Sequence, residues 1–182
     1  MIEIENLALE GVKLIKTKKF FDDRGSFQQN YHKDEYKKFG ILNNFVQDNW
    51  STSEKGVLRG LHYQFYSPQA KLIQVIKGEV YDVAVDLRVG SPTFKKWIGI
   101  LLNPENGYQL YIPRGFAHGF LTLKPGTEFI YKCDNYYKSD DQHGIRWDDA
   151  SLNINWPIED NIDLCISEKD RTLPIFKDSL TF

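Results

Sequence analysis

Short runs of alternating hydrophobic and polar residues recur along the whole chain. They occupy residues 14–18, 26–31, 56–65, 72–76, 80–87, 97–102, 108–112 and 128–133. Segments rich in Gly, Pro, Asn and Asp separate them. Short strands spaced by turn signals at roughly 8 to 12 residues, with almost no helix between them, predict an all-β sandwich or barrel. We expect a jelly-roll sandwich with a few short helices, mainly toward the C-terminus.

Several local features refine this prediction. Residues 33–39 suit a brief helix with Tyr36 and Phe39 on one side, and Gly40 suits the left-handed residue after its end. The runs 72–76 and 80–87 are rich in β-branched residues and are separated by a glycine turn, which predicts a hairpin.

The remaining segments are predicted as turns and loops. Residues 20–25 carry turn chemistry, with Arg24 at the mouth of the turn. Residues 113–120 are predicted to form a loop that leads into 121–123. The part beyond Gly144 has a looser pattern, and we expect it to pack over one end of the sandwich.

Length and charge limit the classes of protein. The 182 residues suit a single domain over 1–182. With 23 basic and 25 acidic residues the net charge is −2, and no block of like charge suggests a nucleic acid or an anionic membrane as partner. Cys133 and Cys165 follow no metal spacing, the N-terminus is acidic, and no apolar run approaches a membrane span. We expect a cytoplasmic protein.

The segment 56–72 carries the first candidate chemistry. Strand alternation places His62 on the face opposite Leu61 and Tyr63, while Arg59 and Lys71 bracket it. A titratable base between two cations suits proton transfer on an anionic substrate. A strand with a hydrogen-bonded structural histidine is the alternative.

The sequence lacks the residue patterns of other common types of active site. A metal-binding β-sandwich needs two or three imidazoles together, but Gln64 stands where a second histidine would share the face of His62. His118 is left as an imidazole that could meet His62 in space. The chain has no Gly-x-Ser-x-Gly elbow and no phosphate-binding glycine loop at the start of a helix. Acid–base chemistry is therefore favoured over metal chemistry.

The motifs along the chain resemble those of the dTDP-4-dehydrorhamnose 3,5-epimerase family. The resemblance rests on residues 23–27 (DRGSF), 57–64 (VLRGLHYQ), 83–88 (VAVDLR), 90–94 (GSPTF), 112–120 (IPRGFAHGF), 131–132 with 136–137, and 147–149 (WDD). These motifs have the order and spacing of the family and extend from about Gly11 to Pro174.

The resemblance implies a cupin-type jelly roll, a homodimer, and a nucleotide-linked 4-keto-6-deoxy sugar as substrate, with no metal or cofactor. It implies that His62 is the base, Tyr131 the acid on the other face of the sugar, and Lys71 the group that holds the C4 oxygen, while Asp170 pairs with His62. It also implies substrate-binding roles for Arg24, Gln29, Gln47, Asn49, Arg59, His118, Tyr137, Gln142 and Lys169.

Each assignment has a structural alternative. Asp170 follows Ser167 at the spacing of a helix capping box, in which its carboxylate would bond to the cap. Tyr131 shares a face with Phe129 and Cys133, as a core residue would. Arg59 and Lys71 suit solvated charges, and His118 suits a cap for the loop before residue 121.

The chain also departs from the family pattern. Many members carry glutamates in the sugar-nucleotide pocket, where this chain has Gln29 and Gln142, next to Gln28 and Asp141. An amide can donate as well as accept, which affects specificity. Inversion at C3 and C5 is the first hypothesis. C3-only inversion, a GDP-linked 4-keto heptose of capsule biosynthesis, a non-catalytic sugar-nucleotide binding module and a metal-dependent cupin enzyme are the alternatives.

Overall fold

Two facing β-sheets form the body of the protein in the computed structural model, which describes residues 2–159 and 162–182. The first sheet contains, in spatial order, β1 (Ile2–Asn6), β2 (Lys13–Thr17), β10 (Tyr108–Ile112), β7 (Lys71–Lys77), β12 (Thr127–Cys133) and β5 (Gln47–Ser53). The second contains β13 (Gln142–Gly144), β6 (Val57–Gln64), β11 (Phe116–Thr122), β8 (Val80–Asp86) and β9 (Trp97–Leu102), and β14 (Cys165–Ile166) also pairs with β6.

The other elements lie outside these sheets. β3 (Lys19–Asp22) and β4 (Gly25–Gln28) form a separate hairpin. The α-helices are α1 (Lys33–Lys37) and α2 (Glu168–Arg171), and the 3-10 turns are Ser139–Asp141 and Phe176–Asp178. Among the described residues, no helix has the length and apolar character needed to cross a bilayer.

Apolar side chains from both sheets meet in one central cluster. Ile73 and Phe129 of the first sheet pack with Val80, Ala84 and Phe120 of the second. Because each strand alternates its side chains between two faces, one set from each sheet points into this shared core. The predicted all-β jelly-roll sandwich is confirmed.

The outer faces of the sheets are covered by the remaining segments. Tyr36 of α1 and Ile41 pack on the first sheet. On the second sheet, Trp156, Ile166 and Phe176 of the C-terminal region join a cluster with residues of β6, β8 and β11. The expectation that the C-terminal region packs over one end of the sandwich is wrong, since it covers the outer face of the second sheet.

The predicted hairpin between β7 and β8 is wrong. β7 pairs with β10 and β12, whereas β8 pairs with β9 and β11 in the other sheet. Gly78, with φ of +78°, does form a tight turn, and a Cβ there would meet the Thr127 side chain. The local pattern predicts the chain reversal, but pairing partners are decided by strands distant in sequence.

The loop predicted at 113–120 is also wrong. Phe116 to Thr122 form β11, a fully buried strand between β6 and β8. The glycines in this segment suggested a loop. Gly119 instead allows the backbones of β11 and β6 to approach closely, because a Cβ there would lie 2.8 Å from the carbonyl oxygen of Arg59.

Smaller differences concern the N-terminal third. α1 ends at Lys37 rather than at residue 39, and Phe39 is exposed. Gly40 has φ of +82°, as predicted for the residue that ends this segment. Residues 19–22 are strand rather than turn, so the reversal is confined to Asp23 and Arg24.

Candidate active site

An irregularity in β6 aims two site residues in the same direction. On β11, His118 lies opposite His62 and Phe120 lies opposite Arg59. The step between these two pairs is two residues on β11 but three residues on β6. One extra residue on β6 therefore turns Arg59 to the face of His62, which regular alternation would forbid. The strand accommodates this at Gly60, where φ is +114° and a Cβ would lie 2.6 Å from the Cα of Gly119.

His62 and Asp170 form a close pair. His62 Nε2 lies 2.6 Å from Asp170 Oδ1, and the other carboxylate oxygen accepts a hydrogen bond from Gly60 N at 3.2 Å. Asp170 is buried and belongs to α2, whose N-cap Ser167 accepts a hydrogen bond from the Asp170 backbone N. The helix cap and the contact with His62 thus involve different atoms of Asp170. Its backbone N–H takes part in the cap, and its carboxylate contacts the histidine.

The environment keeps the Asp170 carboxylate charged. Burial raises its pKa, but the hydrogen bond and charge of His62 and the hydrogen bond from Gly60 outweigh burial, so the pKa lies below its ordinary value. A carboxylate can only accept, so the facing His62 Nε2 carries a proton. In a neutral ring, the lone pair is then on Nδ1.

The first sheet contributes Lys71 and Tyr131 to the same space. The Lys71 ammonium lies 5.9 Å from the centroid of the Tyr131 ring. Burial raises the pKa of Tyr131, which keeps its phenol protonated at neutral pH. Burial also lowers the pKa of Lys71, an effect opposed by the charge of Asp82. As predicted, Tyr131 shares its face with buried Phe129 and Cys133.

Two adjoining cavities lie between the sheets and share His62, Lys71 and Tyr131. The larger has a volume of about 300 Å³, and the smaller about 180 Å³. Of the residues predicted from the sequence, the larger is lined by Gln47, Asn49, Tyr137 and Gln142, and the smaller by Arg59 and His118. Side chains from both sheets thus surround one space, with His62 and Tyr131 on opposite sheets.

Polar contacts join the residues at one side of the larger cavity. Gln142 Oε1 accepts hydrogen bonds from the Tyr137 hydroxyl at 2.6 Å and from Lys169 Nζ at 2.9 Å. Gln47 accepts from Tyr137 N and donates to Asn49. Lys169 therefore reaches the cavity through Gln142, and its ammonium faces a neutral amide.

Arg24 and Gln29 are not brought to these cavities. Arg24 lies in the exposed β3–β4 hairpin, where its guanidinium pairs with Asp22 at 2.6 Å. Gln29 is exposed just after this hairpin. Neither residue lines the two cavities of the same chain.

Two residues near the site were missed by the sequence interpretation. Asp82 is fully buried, and its carboxylate lies 2.9 Å from His118 Nε2. The alternation of 80–87 puts Asp82 in phase with Val80 and Ala84, so a carboxylate on an apolar face was the available signal. Cys133 also lines the larger cavity, and burial raises the pKa of its thiol to about 11.

Residues that the sequence left undecided have structural roles. Gln64 donates to the Ser67 and Tyr136 carbonyls and accepts from Lys138 N, which ties the segments beside the larger cavity together. Asp141 accepts hydrogen bonds from backbone N–H groups of residues 65–67.

Another cleft, of about 330 Å³, includes Trp50, Ile76 and Ile130 in its lining and shares Asn49 and Tyr131 with the larger cavity. The charged residues that line it, Asp48 and Lys132, pair with each other at 2.9 Å. Its lining, within the described part of the chain, includes no imidazole and not Lys71, so we place the candidate chemistry in the space between the sheets.

Comparison with known proteins identifies relatives along the whole chain. The sequence model of a family described as dTDP-4-dehydrorhamnose 3,5-epimerase matches residues 6–178. The Pseudomonas aeruginosa dTDP-4-dehydrorhamnose 3,5-epimerase is 46% identical over 177 residues, which are 97% of each chain. The enzyme of that name from Neisseria gonorrhoeae is 48% identical over 158 residues, 87% of this chain, which spans 48% of that relative.

A solved structure agrees with this result. The crystal structure of dTDP-6-deoxy-D-glucose-3,5-epimerase from Legionella pneumophila, in complex with dTDP-4-keto-L-rhamnose, superposes with a TM-score of 0.93. It is 44% identical in sequence, and the match covers 96% of this chain and 93% of that one. The likeness therefore extends from sequence to three-dimensional structure.

Proposed function

The chain belongs to the dTDP-4-dehydrorhamnose 3,5-epimerase family, and from that premise we propose that it inverts C3 and C5 of a dTDP-linked 4-keto-6-deoxy sugar. A ketone at C4 acidifies the protons at C3 and C5, so each inversion removes a proton from one face and returns one to the other through an enolate. One observation carries the proposal: an imidazole–carboxylate pair and a phenol approach one cavity from opposite sheets, with a lysine beside them.

His62 is the proposed base. Its Nε2 proton is held by Asp170 at 2.6 Å, which leaves Nδ1 with a lone pair to accept the sugar proton. Once the ring is protonated, the neighbouring carboxylate stabilises the imidazolium. Asp170 thereby supports both the starting tautomer and the charged intermediate.

Tyr131 is the proposed acid, and Lys71 the proposed enolate stabiliser. The raised pKa of Tyr131 keeps a proton available for donation from the sheet opposite His62. The Lys71 ammonium offsets negative charge that develops on the C4 oxygen, a contribution of about 3 kcal/mol for a well-placed donor. Every step uses side chains of this chain.

The remaining predicted residues are proposed to bind the substrate. Arg59 and His118 line the smaller cavity, and a guanidinium matches phosphate and hydroxyl oxygens in bidentate fashion. Tyr137 is proposed to stack on the nucleobase. Gln47, Asn49, Gln142 and Lys169 are proposed to line the rest of the pocket.

We also propose that the protein acts as a homodimer in the cytoplasm. The β3–β4 hairpin exposes Phe20, Phe21 and Phe27, which favours coverage by a second subunit. Arg24 and Gln29 would then act in the partner's site, which explains their distance from the cavity of their own chain. The free thiols of the two cysteines fit a reducing compartment.

Solvent exchange tests the proposed reaction. The protein is incubated with dTDP-4-dehydro-6-deoxyglucose in D2O, and deuterium at C3 and C5 is followed by NMR. We expect exchange at both carbons, whereas absence of exchange at both would overturn the proposal. Exchange at C3 alone would select the narrower activity, and a parallel GDP-linked 4-keto sugar tests the nucleotide.

Two variants separate the proposed base from the proposed acid. His62→Ala should abolish exchange while binding of the nucleotide sugar persists, because deprotonation is lost. Tyr131→Phe should still allow deuterium to enter but give little inverted product, because only return of the proton to the opposite face is lost. Full activity of either variant would refute the assigned role.

A further inference from the structure

Asp82 is a buried carboxylate that the proposed reaction does not use. It is fully buried on β8, and both of its oxygens lie near one nitrogen, at 2.9 and 3.1 Å from His118 Nε2. Burial of a charge is costly unless the charge is paired and hydrogen-bonded. Asp86, on the same face of β8, meets this requirement through Arg88, Ser91 and Thr93, whereas Asp82 depends on His118.

His118 continues the chain of contacts toward the cavity. Its other ring nitrogen, Nδ1, lies 3.5 Å from Lys71 Nζ. The ring is 6% exposed and stacks on Phe129 with an interplanar angle of 16°. Asp82, His118 and Lys71 therefore form a continuous row from the interior of the second sheet to the first.

Asp82 and Lys71, at the two ends of this row, require the same tautomer of His118. A carboxylate only accepts hydrogen bonds, so Nε2 carries a proton, and an ammonium only donates, so Nδ1 carries a lone pair. Burial lowers the pKa of His118 despite the opposing charge of Asp82, and the Lys71 charge lowers it further. A neutral ring also avoids a third cation between Lys71 and the imidazolium that His62 is proposed to become.

We propose that Asp82 is a positioning residue, which fixes the His118 tautomer so that Nδ1 accepts a hydrogen bond from Lys71 and aims the ammonium at the developing enolate oxygen. The inference rests on the proposed function, in which Lys71 stabilises the enolate. Asp82 touches no substrate in this scheme and acts through His118 alone.

The charge of Asp82 has a second consequence for Lys71. Burial lowers the pKa of Lys71, and the charge of Asp82 opposes this effect. Among the described residues, the titratable or charged groups that act on Lys71 or line a cavity with it are Asp82 on β8, His118 on β11, Arg59, His62 and Tyr63 on β6, Tyr131 and Cys133 on β12, and Tyr137. Removal of the Asp82 charge takes away an effect that raises the pKa of Lys71. The pKa therefore falls further, and the ammonium loses its proton at lower pH.

The first test compares Asp82→Asn with Asp86→Asn, a matched substitution four residues along the same face of β8. An asparagine at 82 removes the charge and can donate as well as accept, so the ring proton is no longer fixed on Nε2. We expect the alkaline limb of the kcat–pH profile to shift down by about one unit and kcat to fall by about tenfold or more, with KM little changed. Asp86→Asn should leave the profile in place. An unshifted profile in Asp82→Asn would overturn the inference.

The second test does not depend on turnover and reads the wild-type protein. NMR of the wild-type protein with 15N-labelled histidine reports the tautomer of His118, identified by loss of its signals in His118→Gln. We expect a protonated Nε2 and an unprotonated Nδ1 at neutral pH. The opposite tautomer or an imidazolium overturns the inference, even if turnover is normal. Absence of solvent exchange by the wild-type enzyme would refute the proposed function instead, while the tautomer still decides the role of Asp82.

Discussion

Replacement of Asp170 by Asn tests the His62–Asp170 pair with little change in shape. The carboxylate is 5% exposed and lies 2.6 Å from His62 Nε2. In the variant, the amide oxygen is required by Gly60 N, which donates to this side chain at 3.2 Å. The amide nitrogen must then face His62 and donate to Nε2, so the ring proton moves to Nδ1 and the proposed base loses its lone pair.

The expected loss follows from this contact. A hydrogen bond to a charged group contributes about 1.5–3 kcal/mol, which corresponds to a fall in kcat of roughly 10- to 150-fold if the transition state alone depends on it. The reversed tautomer adds to this loss. We therefore expect kcat of Asp170→Asn to fall by at least about 100-fold, with KM changed only slightly.

The assay is the rate of solvent deuterium entry at C3 under single-turnover and steady-state conditions. Asp170→Ala is a second arm: it removes the charge but leaves the tautomer free, so Asn should be at least as impaired as Ala. Glu168→Gln, an exposed carboxylate in the same helix, is the matched control and should keep full activity. The backbone N–H of residue 170 donates the N-cap hydrogen bond to Ser167 Oγ, so this bond is available in every variant. A rate for Asp170→Asn above that of Asp170→Ala would refute the tautomer argument.

Three other predictions concern stability and reactivity. Hydrogen bonds from neighbouring side chains, outweighing burial, lower the pKa of Asp86 from 3.8 to about 2. Asp86→Asn should therefore cost about 2 kcal/mol of unfolding free energy above pH 5, with the difference vanishing as pH falls from 4 to 2, as urea titrations at several pH values can check. Gly119→Ala places a Cβ 2.8 Å from the Arg59 carbonyl oxygen; it should destabilise the fold by about 1–3 kcal/mol and lower activity, and unchanged urea midpoints would contradict this. The Cys133 thiol, with a pKa of about 11, is about one-thousandth thiolate at pH 8, so iodoacetamide should label exposed Cys165 first by mass spectrometry, and equal labelling would contradict the burial of Cys133.

Local patterns predicted the strands well because the side-chain period of a strand is a property of the sequence itself. β9 and β10 have the predicted bounds, Trp97–Leu102 and Tyr108–Ile112. β11 was missed because Gly115 and Gly119 imitate loop composition, although Gly119 is required by the close approach of β6. The partners of β7 and β8 could not be predicted from their own residues, since pairing depends on strands far along the chain.

The proposed catalytic pair, His62 and Asp170, shows where the residues alone were insufficient. His62 and Asp170 are 108 positions apart, and the local spacing of Ser167 and Asp170 predicts a helix cap. The family resemblance supplied the pairing as an expectation. Arg59 illustrates a different obstacle, because strand alternation assigns it to the face of Leu61, and only the extra residue at Gly60 turns it into the cavity.

The site is marked in the sequence by polar residues at inward positions of otherwise apolar strands. His62, Lys71, Asp82, His118 and Tyr131 come from five strands, and each occupies a position that alternation assigns to the core between the sheets. A polar group at such a position is costly unless it is paired, and each of the two histidines is paired with a carboxylate, His62 with Asp170 and His118 with Asp82. Since sheets in a sandwich pack about 10 Å apart, the proposed base on one sheet and the proposed acid on the other can face opposite sides of one sugar ring. The two-sheet architecture thus supports the proposed inversion.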